Sequence, residues 1–497
     1  MKPISVAIIG AGLSGLALGI RLTSEGCRVR IFEKNNFPGG SLGTIHDDGF
    51  RFNYGAEFVT APFLFDQLFE TAGKKRIEYF KLRDVEPFIQ AVYPNGYRFA
   101  LYTNPEETEK NNIWLNETDR EGFRFFYREN LAQFDEVFFD YCAKPVDEAS
   151  AFSRQNLKMR SLDPNLSAAA YADRIFTSPE LKQLFGIWPL LGGARPRKDN
   201  HLFRLATELL RRWGVSVPEE GMDQLVSSLA KLFSENGGEI LFNAEVSEVL
   251  VFNKTASGIR LIDGSVYQAD AVISAADSVQ TYLGLIDSDR TRYGIVEQAK
   301  SLPQSFSMFI YHLGLRIHMP ETLPLAPMNL LFPANYQRFL DELCVQEQLS
   351  DDPLIFLRIP SKTFENAAPP GGQAMTVMIP VPNTSAIDQW DHLSFDYRNR
   401  ILSNLQNYFQ LDLKSNLVVE RYSDPFDFEK GLGAYHGQAF SFPPLIRRSG
   451  EIRLSNRSKD IRNLYLTGAG AHPGASIPGV LLSAVNAVEL IKSDFQP

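Results

Sequence analysis

Gly10, Gly12 and Gly15, together with Glu33 beyond them, form the clearest chemical pattern in the chain. Their G-x-G-x-x-G spacing suits a dinucleotide: the first glycine permits a tight turn, the second lets backbone approach a pyrophosphate, and the third allows close helix packing. Leu13 and Ser14 then open a helix whose free N–H groups and positive dipole end face the phosphates. Glu33 and Lys34 follow at the end of the next strand, where a carboxylate accepts hydrogen bonds from both ribose hydroxyls of an adenosine. That acid disfavours a 2′-phosphate, and so NADP, on charge grounds. The elements needed to position these groups are legible too: an apolar strand at Val6–Ile9, the loop and helix GLSGLALGIRLTSEG within residues 10–26, and a second strand in CRVRIFEK, Cys27 to Lys34. A tight turn with no ligand would account for the glycines, but not for strand, loop, helix, strand and acid in register.

The next stretch, KNNFPGGSLGTIHDDGFRFNYGAEFV, adds a flexible pair at Gly39-Gly40 and an alternating, hairpin-like GFRFNYGAEF, an extension that NAD enzymes do not usually carry. Here the sequence resembles the phytoene desaturase family of FAD-dependent carotenoid enzymes, within the larger amine-oxidase-like flavoprotein group, whose pattern reads "E…PGGR…GF.FD.GP". The resemblance implies FAD as cofactor, with Gly40, Ser41, Gly55 and Ala56 beside it. Two departures stand out. Ser41 replaces the family arginine, and Asn53-Tyr54-Gly55-Ala56-Glu57 replaces "D.GPT"; Ala56-Glu57 is nearer the amine oxidase pattern.

The C-terminal wording is the most specific. SDPFDFEKGLGAYHGQAFSFPP, Ser423 to Pro444, and NLYLTGAGAHPGASIPGV, Asn463 to Val480, are similar to bacterial phytoene desaturases almost throughout. The resemblance implies that this loop and helix close over the ribityl chain and isoalloxazine, with Gly468 and Gly470 approaching the cofactor and Pro478, Gly479 and Val480 at the helix start. Ala471 stands for the usual Thr and Ser476 for a Gly, while His472 is shared. With no following βα unit and no terminal acid, this loop reads as the far jaw of one FAD site, not as a second dinucleotide site. Glu57, His436 and His472 are the candidate catalytic residues; for the two histidines, packing against neighbouring loops is the alternative.

Between these ends, a helix with Leu225, Leu229 and Leu232 on one face precedes alternating strands over residues 237–277, with turns at Asn253-Lys254 and Asp263-Gly264 and a buried strand at Ala271–Ser274. The family pattern puts an adenine contact on Val246, which is otherwise a core valine. GIWPLLGGARP and SFSMFIYHLGLRI are also family-like, and His312 in the second reads as a packed or hydrogen-bonded polar residue near the substrate. From Phe63 to Ala170 the likeness fades into Phe- and Tyr-rich helices, which suit a core, an apolar channel or a membrane-dipping surface.

The 497 residues, 44% hydrophobic and 22% charged, are those of a globular enzyme. A net charge of -9 without a Lys/Arg cluster argues against nucleic acid. Cys27, Cys142 and Cys344 offer neither a disulfide framework nor a zinc pattern, so a cytoplasmic, reducing setting is expected. Neither a targeting segment nor a spanning apolar run is present, although 37 Phe allow peripheral contact with a membrane. No metalloprotease, nucleophile-elbow or Walker motif occurs; His46, His201, His318 and His392 are isolated.

The expected fold is α/β. A Rossmann-like FAD-binding domain of residues 1–75, 215–300 and 440–497 is interleaved with an α+β substrate domain of 76–214 and 301–439, which includes a helical, membrane-contacting region. The expected activity is desaturation of a long isoprenoid or polyene, with oxygen or a quinone as electron acceptor. Rivals are a carotenoid isomerase or saturase, an amine oxidase-like enzyme, and a flavin-binding protein with little catalysis.

Overall fold

The computed structural model describes residues 3–146, 163, 166–199, 201–286, 303–317, 325–443 and 454–495. His318, Pro444 and the boundary at residue 300 lie outside them. A parallel sheet is drawn from distant parts of the chain: β1 (Ser5–Ile9), β2 (Arg28–Phe32), β3 (Glu239–Leu241), β4 (Ala271–Ser274) and β5 (Leu464–Leu466), in the order β5-β4-β1-β2-β3. Every neighbouring pair is parallel. The central strands are near-continuous apolar runs because helices or a second sheet cover both faces. On one face α1 (Leu13–Ser24), α2 (Met222–Glu235) and α3 (Ile477–Phe495) share a core that includes Leu16, Ile20, Leu225, Leu229, Leu481 and Ile491. The helix α1 is buried on nearly every side, as a helix apolar over most of its circumference must be. Gly19 lets it sit against α2: a Cβ there would lie 2.8 Å from the Phe233 ring.

Over the other face lies an antiparallel sheet of Val246–Phe252, Thr255–Leu261 and Val266–Gln268. Its first turn has both Asn253 and Lys254 at positive φ, the left-handed pair whose twist matches a hairpin.

A seven-stranded sheet forms the second lobe, in the order Leu417–Ser423, Ser307–Leu315, Gln373–Val381, Ile355–Arg358, Met328–Leu331, Ile89–Val92 and Arg98–Leu101. One face, with Phe309, Tyr311, Leu313, Leu357 and Val377, packs on Trp390, Tyr397, Ile401 and Leu405 of the helix Trp390–Phe409. The opposite face is apolar as well. Met308, Ile310, Met328, Leu330 and Phe356 pack with Phe123 and Phe126 of the helix Glu117–Asp135 and with Phe185. Phe50 and Phe52, from the hairpin Thr44–Asp47/Phe50–Asn53, pack with Ala374 beside them. Most of the aromatic segment is therefore core, while Phe125, Leu131 and Phe139 stay exposed. Among the described residues no helix is long and apolar enough to cross a membrane.

The helix α3 begins at Ile477, so Pro478, Gly479 and Val480 lie within its first turn. The N–H groups of Gly479 and Val480 are met within the chain. The Gly479 N–H donates to Ser476 Oγ at 3.0 Å and the Val480 N–H to the Ser476 carbonyl at 2.9 Å. Ser476 itself has φ +127, a conformation suited to the glycine that the family pattern puts there. Its hydroxyl cap offsets that strain. Ser476→Ala, which keeps the strain and loses the cap, should cost about 1 kcal/mol in urea denaturation. Ser476→Gly, which relieves the backbone, should cost no more than a few tenths of a kcal/mol.

Candidate functional site

Both glycine loops meet over the first turn of α1. Gly10, at φ +97, donates its N–H to Phe32 O at 2.8 Å, which ties the loop to the end of β2. A Cβ on Gly15 would lie 2.1 Å from Gly10 O, so this glycine is required by helix–strand contact. Gly12 is different: a Cβ there would meet nothing within 4 Å. The open space at Gly12 adjoins the start of α1, which no side chain caps and where Leu13 and Ser14 are buried. From the second loop, Gly39 donates to Ala11 O at 2.9 Å, and a Cβ on Gly40 would stand 3.5 Å from the Gly12 Cα. From the far end of the chain comes Gly468, at φ +106; a Cβ on it would lie 3.1 Å from Ser14 Oγ.

A glycine-lined opening at an uncapped helix N-terminus fits a pyrophosphate, whose oxygens take backbone N–H donors and favour the positive dipole end. Glu33 is 5% exposed and organises the loop: one carboxylate oxygen accepts the Ala11 N–H at 2.8 Å, and the other accepts the Asn35 N–H at 3.0 Å. The latter oxygen also accepts from Asn35 Nδ2 at 2.9 Å, so the oxygen that faces Ala11 is the one with a second lone pair for a ribose hydroxyl. The Glu33 carbonyl accepts the Ala244 N–H at 2.8 Å, which brings the start of the Val246 strand to the same end of the site. Val246 itself is buried in the core beneath the antiparallel sheet. Lys34 turns away, its Nζ donating to Lys430 O at 3.3 Å.

Beyond Gly40, Ser41 and Ala56 are exposed. Gly55 packs so tightly that a Cβ on it would lie 2.4 Å from Ser41 O. Next comes Glu57, 2% exposed, facing Arg358 of the seven-stranded sheet, also 2% exposed, with Oε1 and Nη1 3.6 Å apart. Arg358 Nη1 donates to Gly55 O at 2.7 Å, joining the two lobes. In register on the sheet, Arg358 lies opposite Thr376, and Thr376 opposite His312. The three therefore form one polar row across an apolar face. His312 Nδ1 meets Thr376 Oγ1 at 3.1 Å and its ring packs on Phe52. Burial raises the Glu57 carboxyl above its usual range, opposed by Arg358 and by a hydrogen bond from Asn53, and burial lowers the Arg358 guanidinium. His312 is pushed from 6.5 down to about 3 by burial and by the Arg358 charge, so it is neutral at physiological pH.

The candidate catalytic residues are not gathered together. His436 stands on a turn with its ring against Tyr435 and its carbonyl accepting from Thr384. His472 is buried, its Nε2 3.0 Å from Tyr141 O, and ties the C-terminal loop to the helical segment. Gly470 faces protein instead of open space: a Cβ there would lie 2.5 Å from Ser278 Oγ. Arg358 was missed by sequence reasoning. The available signal was a lone cation inside the apolar run PLIFLRIP. Among the described residues no group of His, Cys, Asp or Glu could hold a metal ion.

Comparison with known proteins gives the family and the fold. A family model described as flavin containing amine oxidoreductase matches residues 13–492. A phytoene desaturase (lycopene-forming) of Pseudescherichia vulneris is 34% identical over 98% of this chain and 99% of its own. One from Pantoea ananas is 34% identical over 99% of this chain and 100% of its own. Among solved structures, an oxidoreductase of Methanosarcina mazei shares the fold, with a TM-score of 0.66 and 18% identity, covering 98% of this chain and 100% of that one.

Gly12→Ala and Gly15→Ala should separate cofactor contact from packing. The first should leave stability near native yet weaken FAD affinity by about tenfold or more, a loss of about 1.4 kcal/mol, read by fluorescence titration of the apoprotein. The second should cost about 1–3 kcal/mol of stability through overpacking, read in urea. His312 gives a pH signature. The unfolded chain protonates this histidine near 6.5 and the folded chain only near 3, so its contribution to stability falls as pH drops through that window. His312→Gln should flatten that part of the stability–pH curve; an unchanged slope would contradict the buried, neutral imidazole.

Proposed function

Because the chain belongs to the flavin-containing amine oxidoreductase family, in its phytoene desaturase branch, we propose that it is an FAD-dependent desaturase introducing C=C bonds into a long apolar isoprenoid such as phytoene. The carrying observation is the apolar lobe that adjoins the cofactor opening. Met308, Ile310, Met328, Leu330 and Phe356 of its sheet are all buried, packed with Phe123, Phe126 and Phe185. Arg358, Gly55, Ser41 and Gly40 connect this sheet to Gly12 by successive contacts. A hydrocarbon chain offers no charge to recognise, so length, apolar walls and exclusion of water supply its binding.

Bound FAD supplies the hydride acceptor while a proton leaves the neighbouring carbon. The chain's own work is placement. Gly10, Gly12, Gly15 and the α1 N-terminus hold the phosphates, and Glu33 holds the ribose. Gly40 and Gly468 would border the same opening, and Ser41, Gly55 and Ala56 the reactive end beyond it. The apolar sheet face presents a saturated C–C unit and keeps water out, so the reduced cofactor is not spent on side reactions. Exposed Phe125, Leu131 and Phe139 support a resting place on a membrane surface, from which such a substrate is drawn. Oxygen or a quinone completes the cycle.

Purified protein should carry a flavin absorption spectrum. Under anaerobic conditions it should be bleached by phytoene in liposomes and not by primary amines, with products lighter by one hydrogen molecule per new double bond. Products of unchanged mass would favour an isomerase, heavier products made with reduced flavin a saturase, and bleaching by an amine alone an amine oxidase.

A further inference from the structure

Glu33 is held from more sides than a ribose contact requires. Its backbone N–H donates to Leu241 O at 2.9 Å and its carbonyl accepts the Ala244 N–H at 2.8 Å, so the end of β2 is pinned against the end of β3 and the residues after it. Two residues on, the Asn35 carbonyl accepts the Asn243 N–H at 3.0 Å, which fixes Asn35 on the same frame. From that position both the Asn35 N–H and its side-chain Nδ2 donate to one oxygen of the Glu33 carboxylate, Oε1, at 3.0 and 2.9 Å. The other oxygen, Oε2, accepts the Ala11 N–H at 2.8 Å.

A carboxylate oxygen offers two lone-pair positions. Those of Oε1 are both filled by one residue of the chain, while Oε2 keeps one position open beside the glycine loop. At 5% exposure the carboxylate has little water to draw on, so the open position is met by a ligand or not at all. A ribose hydroxyl approaching Oε1 would have to displace the Asn35 amide, exchanging one charge-assisted hydrogen bond for another, and would gain little. A hydroxyl that donates to Oε2 fills an open position and displaces nothing from the protein. The two hydroxyls of one ribose are not equivalent at such a carboxylate.

We propose that Asn35 sets the specificity of the adenosine end of the cofactor site: by occupying Glu33 Oε1 it leaves the carboxylate able to read a single hydroxyl of the ribose, through Oε2. Asn35 acts through Glu33 and is therefore a positioning residue. This rests on the reading that Glu33 faces the ribose of FAD. It goes beyond it by naming the oxygen that binds, the number of hydroxyls it reads and the residue that sets that number. A neutral amide suits the task, because it donates to the carboxylate without adding a countercharge, and Oε2 keeps the strength of an anionic acceptor.

The full-length protein, freed of flavin, is titrated with FAD and with two analogues whose adenosine lacks either the 2′- or the 3′-hydroxyl, and flavin fluorescence reports binding. One analogue should bind about tenfold more weakly than FAD or worse, the effect of roughly one hydrogen bond to a charged group, and the other within about twofold of FAD. In Asn35→Ala the backbone N–H stays and one position on Oε1 opens, so the analogue that the native protein tolerates should now bind several-fold more weakly than FAD. A residue that only shapes the turn would shift all three flavins together and leave their ratios unchanged. Weak binding of both analogues by the native protein overturns the single-hydroxyl site and leaves Glu33 as the ribose ligand. Equal binding of all three flavins, or binding of none, removes the ribose reading and the single-hydroxyl site with it. Ratios in Asn35→Ala that match the native ones overturn the assignment to Asn35. If Asn35→Ala does not fold, the native ratios alone decide how many hydroxyls are read.

Discussion

The contact between Gly15 and the Gly10 carbonyl sets the geometry on which the rest of the molecule depends. No side chain fits between them, so α1 lies directly against the turn that leaves β1. That closeness points the N-terminus of α1 at the open space beside Gly12. It also lets α1 serve as the common neighbour of α2 and α3 in one core, which recruits residues from the middle and the end of the chain. Gly468 reaches Ser14 while its N–H donates to Ser483 Oγ of α3 at 3.1 Å. A chain of local necessities thus assembles a site from segments hundreds of residues apart.

The second lobe answers a different physical demand. A cofactor that exchanges hydride with an apolar chain needs a dry, apolar surface beside it, and a sheet buried on both faces provides one. The helix Trp390–Phe409 backs that sheet, leaving the other face for aromatics and the hairpin. Into this face the protein introduces one polar row, His312, Thr376 and Arg358, met by Glu57 from the other lobe. Its cost in desolvation is visible in the lowered imidazole and guanidinium and the raised carboxyl.

Much of the cofactor lobe was legible because its signals are local. The glycine spacing, Glu33 after the second strand, the face of Leu225, Leu229 and Leu232, and the turn at Asn253-Lys254 each express a rule acting over a few residues. The structure has an element at each position, with strand ends shifted by a residue or so. Ser476 was noticed as an odd replacement, yet its positive φ and its capping role emerged only from the fold. The two roles of glycine were likewise indistinguishable in the sequence. Gly12 borders open space whereas Gly470 packs against Ser278, and no local pattern separates them.

By itself, the sequence determined the α/β class, the dinucleotide loop, the apolar character of the strands and the likeness of both termini to one flavoenzyme family. These follow from periodicity, turn chemistry and short motifs, which a reader of neighbouring residues can see. Only the tertiary structure decided which polar residues meet. Arg358 and Glu57 are far apart in the chain and come within 3.6 Å through strand register in one lobe and a hairpin end in the other. His436 and His472, close to each other in sequence and equally plausible by motif, end in separate surroundings. The physical reason is that register and lobe packing are set by buried area summed over whole faces, so which side chains face one another is a property of the assembled fold and not of any short stretch.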